Sequence, residues 1–371
     1  MQEVDVVIIG AGPAGLAAAM HLVHKDPSWM ARIVVLEKET HPRPKLCGGG
    51  ITPFGLGQLH DLGLSLGVPF ARVQNVEISY FKLKAVFQAD PAVVVVYRPE
   101  FDFWLLQQAR NTGVTVREGC EVTGLERCEG GIKVYTSDGD YLAGVVVGAD
   151  GTTGKTRRWM RKKGRPRTAR VLEVFYPAEM VPDRDERARI TFRFDPALEG
   201  VQGYFWRFPS TRANQPEFNY GVFDSRLYRR SRAGLKSVLH AQLQRELSKA
   251  SQAQFESFPI HLFSPWNRIH AERMILVGDA AGAEPLFGEG ISLALAYGAA
   301  AADQIEFAFR TGRFSFHGYR KRILFSQMGY YLLLRWLLAV IWYQITRSKL
   351  SVHLVWWFVR LIISCEPRSY L

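Results

Sequence analysis

Six residues near the start of the chain carry the clearest chemistry. Gly10-Ala11-Gly12-Pro13-Ala14-Gly15 follows the β-branched run Asp5-Val6-Val7-Ile8-Ile9 and precedes Leu16-Ala17-Ala18-Ala19-Met20-His21-Leu22. The run reads as a buried parallel strand and the later stretch as a strong helix former. At this spacing Gly10 permits a tight turn, Gly12 lets a pyrophosphate approach the backbone, and Gly15 lets helix and strand pack closely. A helix opening at Pro13 and Ala14 turns free N–H groups and the positive end of its dipole toward the phosphates. Ile33-Val34-Val35-Leu36 then ends in Glu37, an acceptor for an adenosine ribose hydroxyl. The glycine spacing alone is weak evidence. With the strand before it, the helix after it and the acid closing the next strand, it specifies a dinucleotide site.

Two later stretches repeat the step from strand to turn. Val145-Val146-Val147 runs into Gly148-Ala149-Asp150-Gly151, and Arg273-Met274-Ile275-Leu276-Val277 into Gly278-Asp279-Ala280-Ala281-Gly282. Asp279, at a strand end, can accept hydrogen bonds from ribityl hydroxyls. Beyond Pro285, Gly288-Glu289-Gly290 leads into a small-residue helix opening at Ile291. Its N–H groups would face the pyrimidine edge of a flavin and stabilise negative charge on the reduced ring. A cofactor that needs both early and late elements suits FAD better than NAD. No second Gly-x-Gly-x-x-Gly follows a strand, so no resident nicotinamide domain is expected. The reductant, NAD(P)H or an acidic ferredoxin or flavodoxin, would dock transiently.

The elements that must position these residues are therefore discontinuous in sequence. The expected fold is α/β: an FAD-binding Rossmann-like domain built from residues 1–70, 98–160 and 266–310. An antiparallel β-rich substrate domain (71–97 and 161–265) is inserted into it, and a C-terminal helical segment (311–371) follows. Helices are expected at 103–111, 231–249 and 291–309, and strands over 70–97, 114–120, 131–136 and 141–147.

Composition sets wider bounds. A chain of 371 residues with 47% apolar content has material for two domains around a sizeable core. Cys47, Cys120, Cys128 and Cys365 show neither metal-ligand spacing nor a disulfide framework, which fits a reducing cytoplasmic compartment. With the first strand beginning at Val4, no cleavable leader is expected. The net charge is +12, and nine of the residues 155–170 are Lys or Arg with no acid among them. Such a run favours an anionic partner, whether lipid headgroups, a phosphorylated substrate or an acidic electron carrier, and fits a merely solvated loop equally well. Only Trp159 is interleaved as an aromatic, so no nucleic acid is expected.

Together these residues resemble the flavoprotein superfamily of aromatic hydroxylases over about residues 1–310, and within it the geranylgeranyl reductase family. The wider resemblance rests on Gly10-x-Gly12-x-x-Gly15, Arg98, Gly148-Ala149-Asp150-Gly151 and Gly278-Asp279. The narrower one rests on Pro44-Lys45-Leu46-Cys47-Gly48-Gly49-Gly50, on Tyr204-Phe205-Trp206-Arg207-Phe208-Pro209, and on Gly278 to Gly282 with Pro285 and Gly288-Glu289-Gly290-Ile291. The resemblance implies a flavin-dependent reductase of polyprenyl chains on a lipid, quinone or chlorophyll-type substrate. Tyr204, Trp206, Phe208 and Pro209 would face that chain and Cys47 would sit near the reacting alkene. Lys38, Cys47, Gly48, Gly49, Arg98, Val122, Asp150 and Gly151 would join the glycine motifs around the cofactor. The family usually carries a Gly-x-Gly some eight residues after the proline, whereas Asn219-Tyr220-Gly221-Val222-Phe223 keeps one glycine after a longer spacer.

The residues allow this chemistry independently of the resemblance. Saturating an isolated alkene needs a hydride from the cofactor and a proton from the protein, in a water-free apolar setting. A thiol is mostly protonated at neutral pH, so Cys47 could give the proton, position the substrate or simply pack. Aromatics in a strand are as a rule core residues. An oxygen-using hydroxylase or halogenase is the nearest rival enzyme, and a membrane-docked subunit with structural FAD the rival from another class.

Near the end, residues 330–343 are strongly apolar but interrupted by Arg335, and residues 352–363 are interrupted by Arg360. Neither offers the roughly 20 uninterrupted apolar residues of a spanning helix. The mixture of Trp, Tyr, Arg and Lys fits helices lying in the headgroup region, hence peripheral membrane association. It fits equally well a pair of buried helices covering a substrate pocket.

Overall fold

The structure is a computed structural model that describes residues 1–160, 168–180, 188–228, 234–247, 255–346, 348 and 350–354. Residues 161–167 of the basic run, Cys365 and residues 355–363 of the second C-terminal apolar stretch lie outside the described residues.

The chain opens with β1 (Gln2–Ile9), α1 (Pro13–Lys25) and β2 (Ile33–Leu36), then β3 (Gly50–Ile51) and α2 (Pro53–Asp61). A long hairpin, β4 (Phe70–Tyr80) and β5 (Leu83–Val96), leads to α3 (Arg98–Asn111) and β6 (Thr115–Arg117). Next come β7 (Val122–Cys128), β8 (Gly131–Thr136), β9 (Tyr141–Gly148) and the short α4 (Thr156–Met160). β10 (Thr168–Pro177), β11 (Arg189–Arg193), β12 (Gly203–Arg212) and β13 (Gln215–Asp224) precede α5 (Leu235–Glu246) and β14 (Glu256–His261). β15 (His270–Ala271), β16 (Met274–Leu276), α6 (Ile291–Thr311), α7 (Tyr319–Leu324) and α8 (Gln327–Ile345) complete the described chain.

Two sheets result. The first runs β15-β16-β9-β1-β2-β6 and is parallel from β16 to β6, with the β7–β8 hairpin attached through β8 to β9. β1 takes the middle because Val6, Val7, Ile8 and Ile9 are apolar on both faces and can be covered on both. The chain leaves β1 through α1 toward β2 on one side and returns much later as β9 on the other. Strand order therefore reverses beside β1, and the crevice at such a reversal is where open α/β sheets bind ligands.

The second sheet runs β14-β10-β13-β12-β11-β4-β5-β3, antiparallel except for the β11–β4 pair. Gly50 and Ile51 fall within the stretch expected to belong to the nucleotide-binding part. They pair instead with Val95 and Val94 of β5, tying the glycine loop to the second sheet. Alternation decides the faces of β12. Phe205 packs with Val238 and Leu239 of α5, and Arg207 reaches Glu246 at 2.6 Å, so Tyr204, Trp206 and Phe208 look the other way.

Helix boundaries differ from expectation for local reasons. α3 begins at Arg98 rather than at residue 103, because Pro99 suits the first turn of a helix and starts this one. α8 is, among the described residues, the one helix long and apolar enough to cross a membrane by length and composition. It buries Met328, Leu332, Ala339 and Tyr343 while Tyr330, Leu334, Leu337, Leu338 and Ile341 stay exposed.

Candidate active site

A cavity of about 840 Å³ lies between the C-terminal edge of the first sheet and the inner face of the second. At its polar end sits the first glycine loop. Gly10 has φ +110°, and a Cβ there would lie 2.4 Å from Ala149 O, so the loop passes against the turn after β9. Gly15 packs tighter still, an added Cβ falling 2.1 Å from Gly10 O and 3.1 Å from the Ile8 side chain, and it does not line the cavity. Gly12 behaves differently. A Cβ there meets only the Arg43 guanidinium at 3.8 Å, because its open side is the cavity.

Gly12 caps α1 and Gly290 caps α6, and neither cap has a side-chain partner. The two helices lie side by side, Gly298 allowing Ala14 and Ala17 to approach. Both N-termini open on the same cavity, where Pro13, Ala14 and Ile291 line it. Two uncapped helix ends with free N–H groups form a site for an anionic, extended ligand.

Glu37 is nearly buried at the end of β2. Its carboxylate accepts the Ala11 N–H at 2.9 Å and the Glu39 N–H at 3.1 Å, with Arg43 3.7 Å away. It clamps the glycine loop and still lines the cavity. Lys38 and Val122 line the same end, and Lys38 pairs with Glu39 at 3.1 Å. Asp150 accepts the Thr156 N–H at 2.8 Å at the start of α4, so its carboxylate is engaged within the protein while Asp150 and Gly151 line the wall. Gly278, Asp279, Gly288 and Gly290 line the far side before α6.

At the middle of the cavity Arg98 holds Asp102 through two bonds of 2.8 Å, both residues buried. The Gly49 N–H points at Cys47 Sγ from 3.4 Å. Gly48 lies under the Phe208 ring, where a Cβ would come within 2.9 Å, so the flat group that this loop admits is a side chain of β12. Thr52 fixes the loop to the start of α6 by donating to Glu289 at 2.8 Å.

The apolar end is walled by Phe192, Tyr204, Trp206, Phe208, Phe223, Phe258 and Phe287. Trp206 lies opposite Gly221, and a Cβ at 221 would be 2.2 Å from the indole. The single glycine kept in that stretch is thus the seat of the ring. The indole N–H donates to Asn219 Oδ1 at 2.5 Å, and the Tyr204 hydroxyl donates to Phe287 O. Pro209 is on the opposite face of β12 and does not line the cavity, as period-2 alternation requires.

Four residues not named as site residues from the sequence also line this space: Arg43, Lys45, Glu173 and Arg335. The Lys45 ammonium stands 4.1 Å from the centroid of the Phe258 ring, and burial lowers its pKa. Glu173 is the lone charged residue in the run Val171-Leu172-Glu173-Val174-Phe175, a signal the sequence did carry. Arg335 of α8 pairs with Glu289 and comes within 3.8 Å of Glu284, which accepts the Phe287 N–H at 2.8 Å. With Tyr343 donating to Leu286 O at 2.8 Å, these contacts seat α8 over the loop that precedes α6.

A family model described as an FAD binding domain matches residues 3–305. The chain belongs to this FAD-binding family. Among its relatives, a digeranylgeranylglycerophospholipid reductase of Methanothrix thermoacetophila is 27% identical over 334 residues, covering 86% of this chain and 82% of that protein. A menaquinone reductase of Mycolicibacterium smegmatis is 28% identical over 333 residues, covering 81% and 75%. A geranylgeranyl bacteriochlorophyll reductase-like protein from Thermoplasma acidophilum shares the fold with a TM-score of 0.78 at 21% identity, covering 94% of this chain and 92% of that one. The protein is an FAD-dependent oxidoreductase, as its motifs lead one to expect.

The residues present fit FAD. Two uncapped helix N-termini and the open face of Gly12 offer N–H donors to a pyrophosphate. Glu37 and Asp279 line the same cavity and would offer carboxylate acceptors to the cofactor's hydroxyls. When bound and reduced, FAD supplies a hydride. The chain supplies the walls around it.

Proposed function

We propose that the protein saturates double bonds of a polyprenyl, geranylgeranyl-type chain carried on a lipid, a quinone or a chlorophyll-type molecule. One observation carries this reading: the dinucleotide end of the cavity continues directly into a space walled by seven aromatic rings. Such walls exclude water and hold a hydrocarbon by contact, and they offer few hydrogen bonds to a polar substrate. Relatives named as reductases of digeranylgeranylglycerophospholipid and of menaquinone support the same chemistry.

In this reading Tyr204, Trp206 and Phe208 orient the chain, and Cys47 sits at the junction where the alkene meets the cofactor. The glycine loops, Glu37, Arg98, Asp150, Asp279 and the start of α6 hold FAD. The exposed apolar side of α8 rests on a membrane surface, so a prenyl tail can enter from the bilayer, and the protein works as a peripheral cytoplasmic enzyme. Its charge of +12 favours anionic headgroups and an acidic ferredoxin or flavodoxin as electron donor, with NAD(P)H as the other donor. Mass spectrometry of lipids and quinones from cells lacking the protein tests the reading. Each saturation lost leaves a prenyl chain two hydrogens lighter, and unchanged chains in every class would contradict it.

A further inference from the structure

If the site saturates an alkene, each hydride must be matched by one proton. We propose that Glu173 is the proton donor: its carboxyl, at the junction of the aromatic and nucleotide ends, protonates the alkene carbon beside the one that takes the hydride.

Glu173 sits mid-strand in β10, only 3% exposed, and lines the cavity. Both oxygens are oriented. Oε1 accepts the Cys47 N–H at 3.2 Å and Oε2 accepts Asn219 Nδ2–H at 3.3 Å. The Trp206 indole occupies Asn219 Oδ1, so the amide must turn its N–H toward Glu173. One carboxyl is thereby tied at once to the cysteine loop and, through Asn219, to the aromatic wall. Each bond leaves its oxygen a further position from which an acidic O–H can face the cavity.

The charged and titratable groups around it are Arg98 of α3, Glu256 directly across from it in β14, and Cys47 on the loop, with Lys45 elsewhere in the same wall. Arg98 is committed to Asp102. Burial raises the Glu173 pKa to about 7, and Glu256 pushes the same way, against the Asn219 and Cys47 hydrogen bonds. A general acid works best with a pKa near the working pH. Cys47 lies on the same loop, with the Gly49 N–H pointing at its sulfur from 3.4 Å. Its place is to position the substrate.

The step balances. The O–H bond of Glu173 breaks and a C–H bond forms, while its electron pair stays on the carboxylate. The alkene gains two electrons with the hydride, FAD is left oxidised, and solvent reprotonates Glu173 before the next turnover.

The test uses the FAD-loaded full chain and E173Q, which keeps the shape and can still accept from one of its two N–H partners but carries no acidic proton. Infrared difference spectra at neutral pH should show a carboxylic-acid C=O band that titrates near 7 and is missing in E173Q. Dithionite-reduced protein is then mixed anaerobically with digeranylgeranylglycerophospholipid in detergent micelles. Flavin reoxidation should slow by about 100-fold or more in E173Q, and the basic limb of its pH profile should vanish. Absence of the band, or E173Q at the wild-type rate, overturns the assignment. A band with no reoxidation of wild type by the probe overturns the substrate reading instead, so the two failures are told apart. Should E173Q not fold, E173D serves: a slower rate with the basic limb retained supports the proposal, and an unchanged rate overturns it.

Discussion

The two ends of the cavity are built from different materials. The nucleotide end uses backbone: glycines that let chains touch, helix N-termini without side-chain caps, and strand ends brought together where the order of the first sheet reverses. The aromatic end uses side chains from neighbouring strands β11, β12, β13 and β14, held in place by one another. Backbone sites tolerate almost no change at Gly10 and Gly15, where an added Cβ meets main chain that cannot move aside. Side-chain sites can be altered in what they bind while the fold and the cofactor remain.

The largest expected effect follows from that contrast. A valine at Gly15 would put its Cβ about 2.1 Å from Gly10 O, so G15V should lose flavin and fold together. The cost should exceed about 4 kcal/mol, read as colourless protein with a collapsed unfolding midpoint. In contrast W206A, although it costs about 3–5 kcal/mol as a buried aromatic truncation, should keep the flavin spectrum and lose alkene turnover. If W206A released flavin as readily as G15V, the two ends would not be separable.

A middle-sized effect concerns pH. The Glu173 carboxyl has a folded pKa of about 7 against an ordinary 4.5, so the native state holds a proton that the unfolded state gives up first. Stability is therefore fullest below about 4.5 and is lost as pH rises through about 7. The loss should approach about 3 kcal/mol, and E173Q should not show it. Parallel stability curves for wild type and E173Q across that window would contradict the burial of an uncompensated carboxyl.

The smallest effect on stability belongs to the outer face of α8. L337E with I341E should change the unfolding free energy by less than about 1 kcal/mol, since both side chains are exposed. Binding to anionic lipid vesicles should nevertheless fall sharply in a sedimentation assay. Wild-type binding in the double variant would remove α8 from the membrane-facing role.

The same contrast explains what could be read in the sequence. Gly10, Gly12, Glu37 and Gly290 were legible because backbone constraints leave fixed spacings in a short stretch of chain. The α/β class and the inserted strand-rich part followed from strand runs and turns. Glu173 and Asn219 were not legible as partners: they stand 46 positions apart and meet only because β10 and β13 are paired. The pairing of Gly50 and Ile51 with β5 was hidden in the same way, and so was the contact of Gly48 with Phe208. Pro209 shows the limit of a motif read as a string, since alternate residues of one strand face opposite sides. For the C-terminal stretch, composition allowed both a pocket cover and a membrane face. α8 carries Arg335 on one side and exposed Leu334, Leu337 and Ile341 on the other.

The central claim is that one cavity brings reduced flavin and a prenyl alkene together. Anaerobic single turnover tests it most directly: protein reduced stoichiometrically with dithionite is mixed with digeranylgeranylglycerophospholipid, and both flavin absorbance and lipid mass are followed. The account predicts flavin reoxidation without oxygen, matched by a lipid two hydrogens heavier for each flavin oxidised. Flavin that stays reduced until oxygen is admitted, with the lipid mass unchanged, would contradict it.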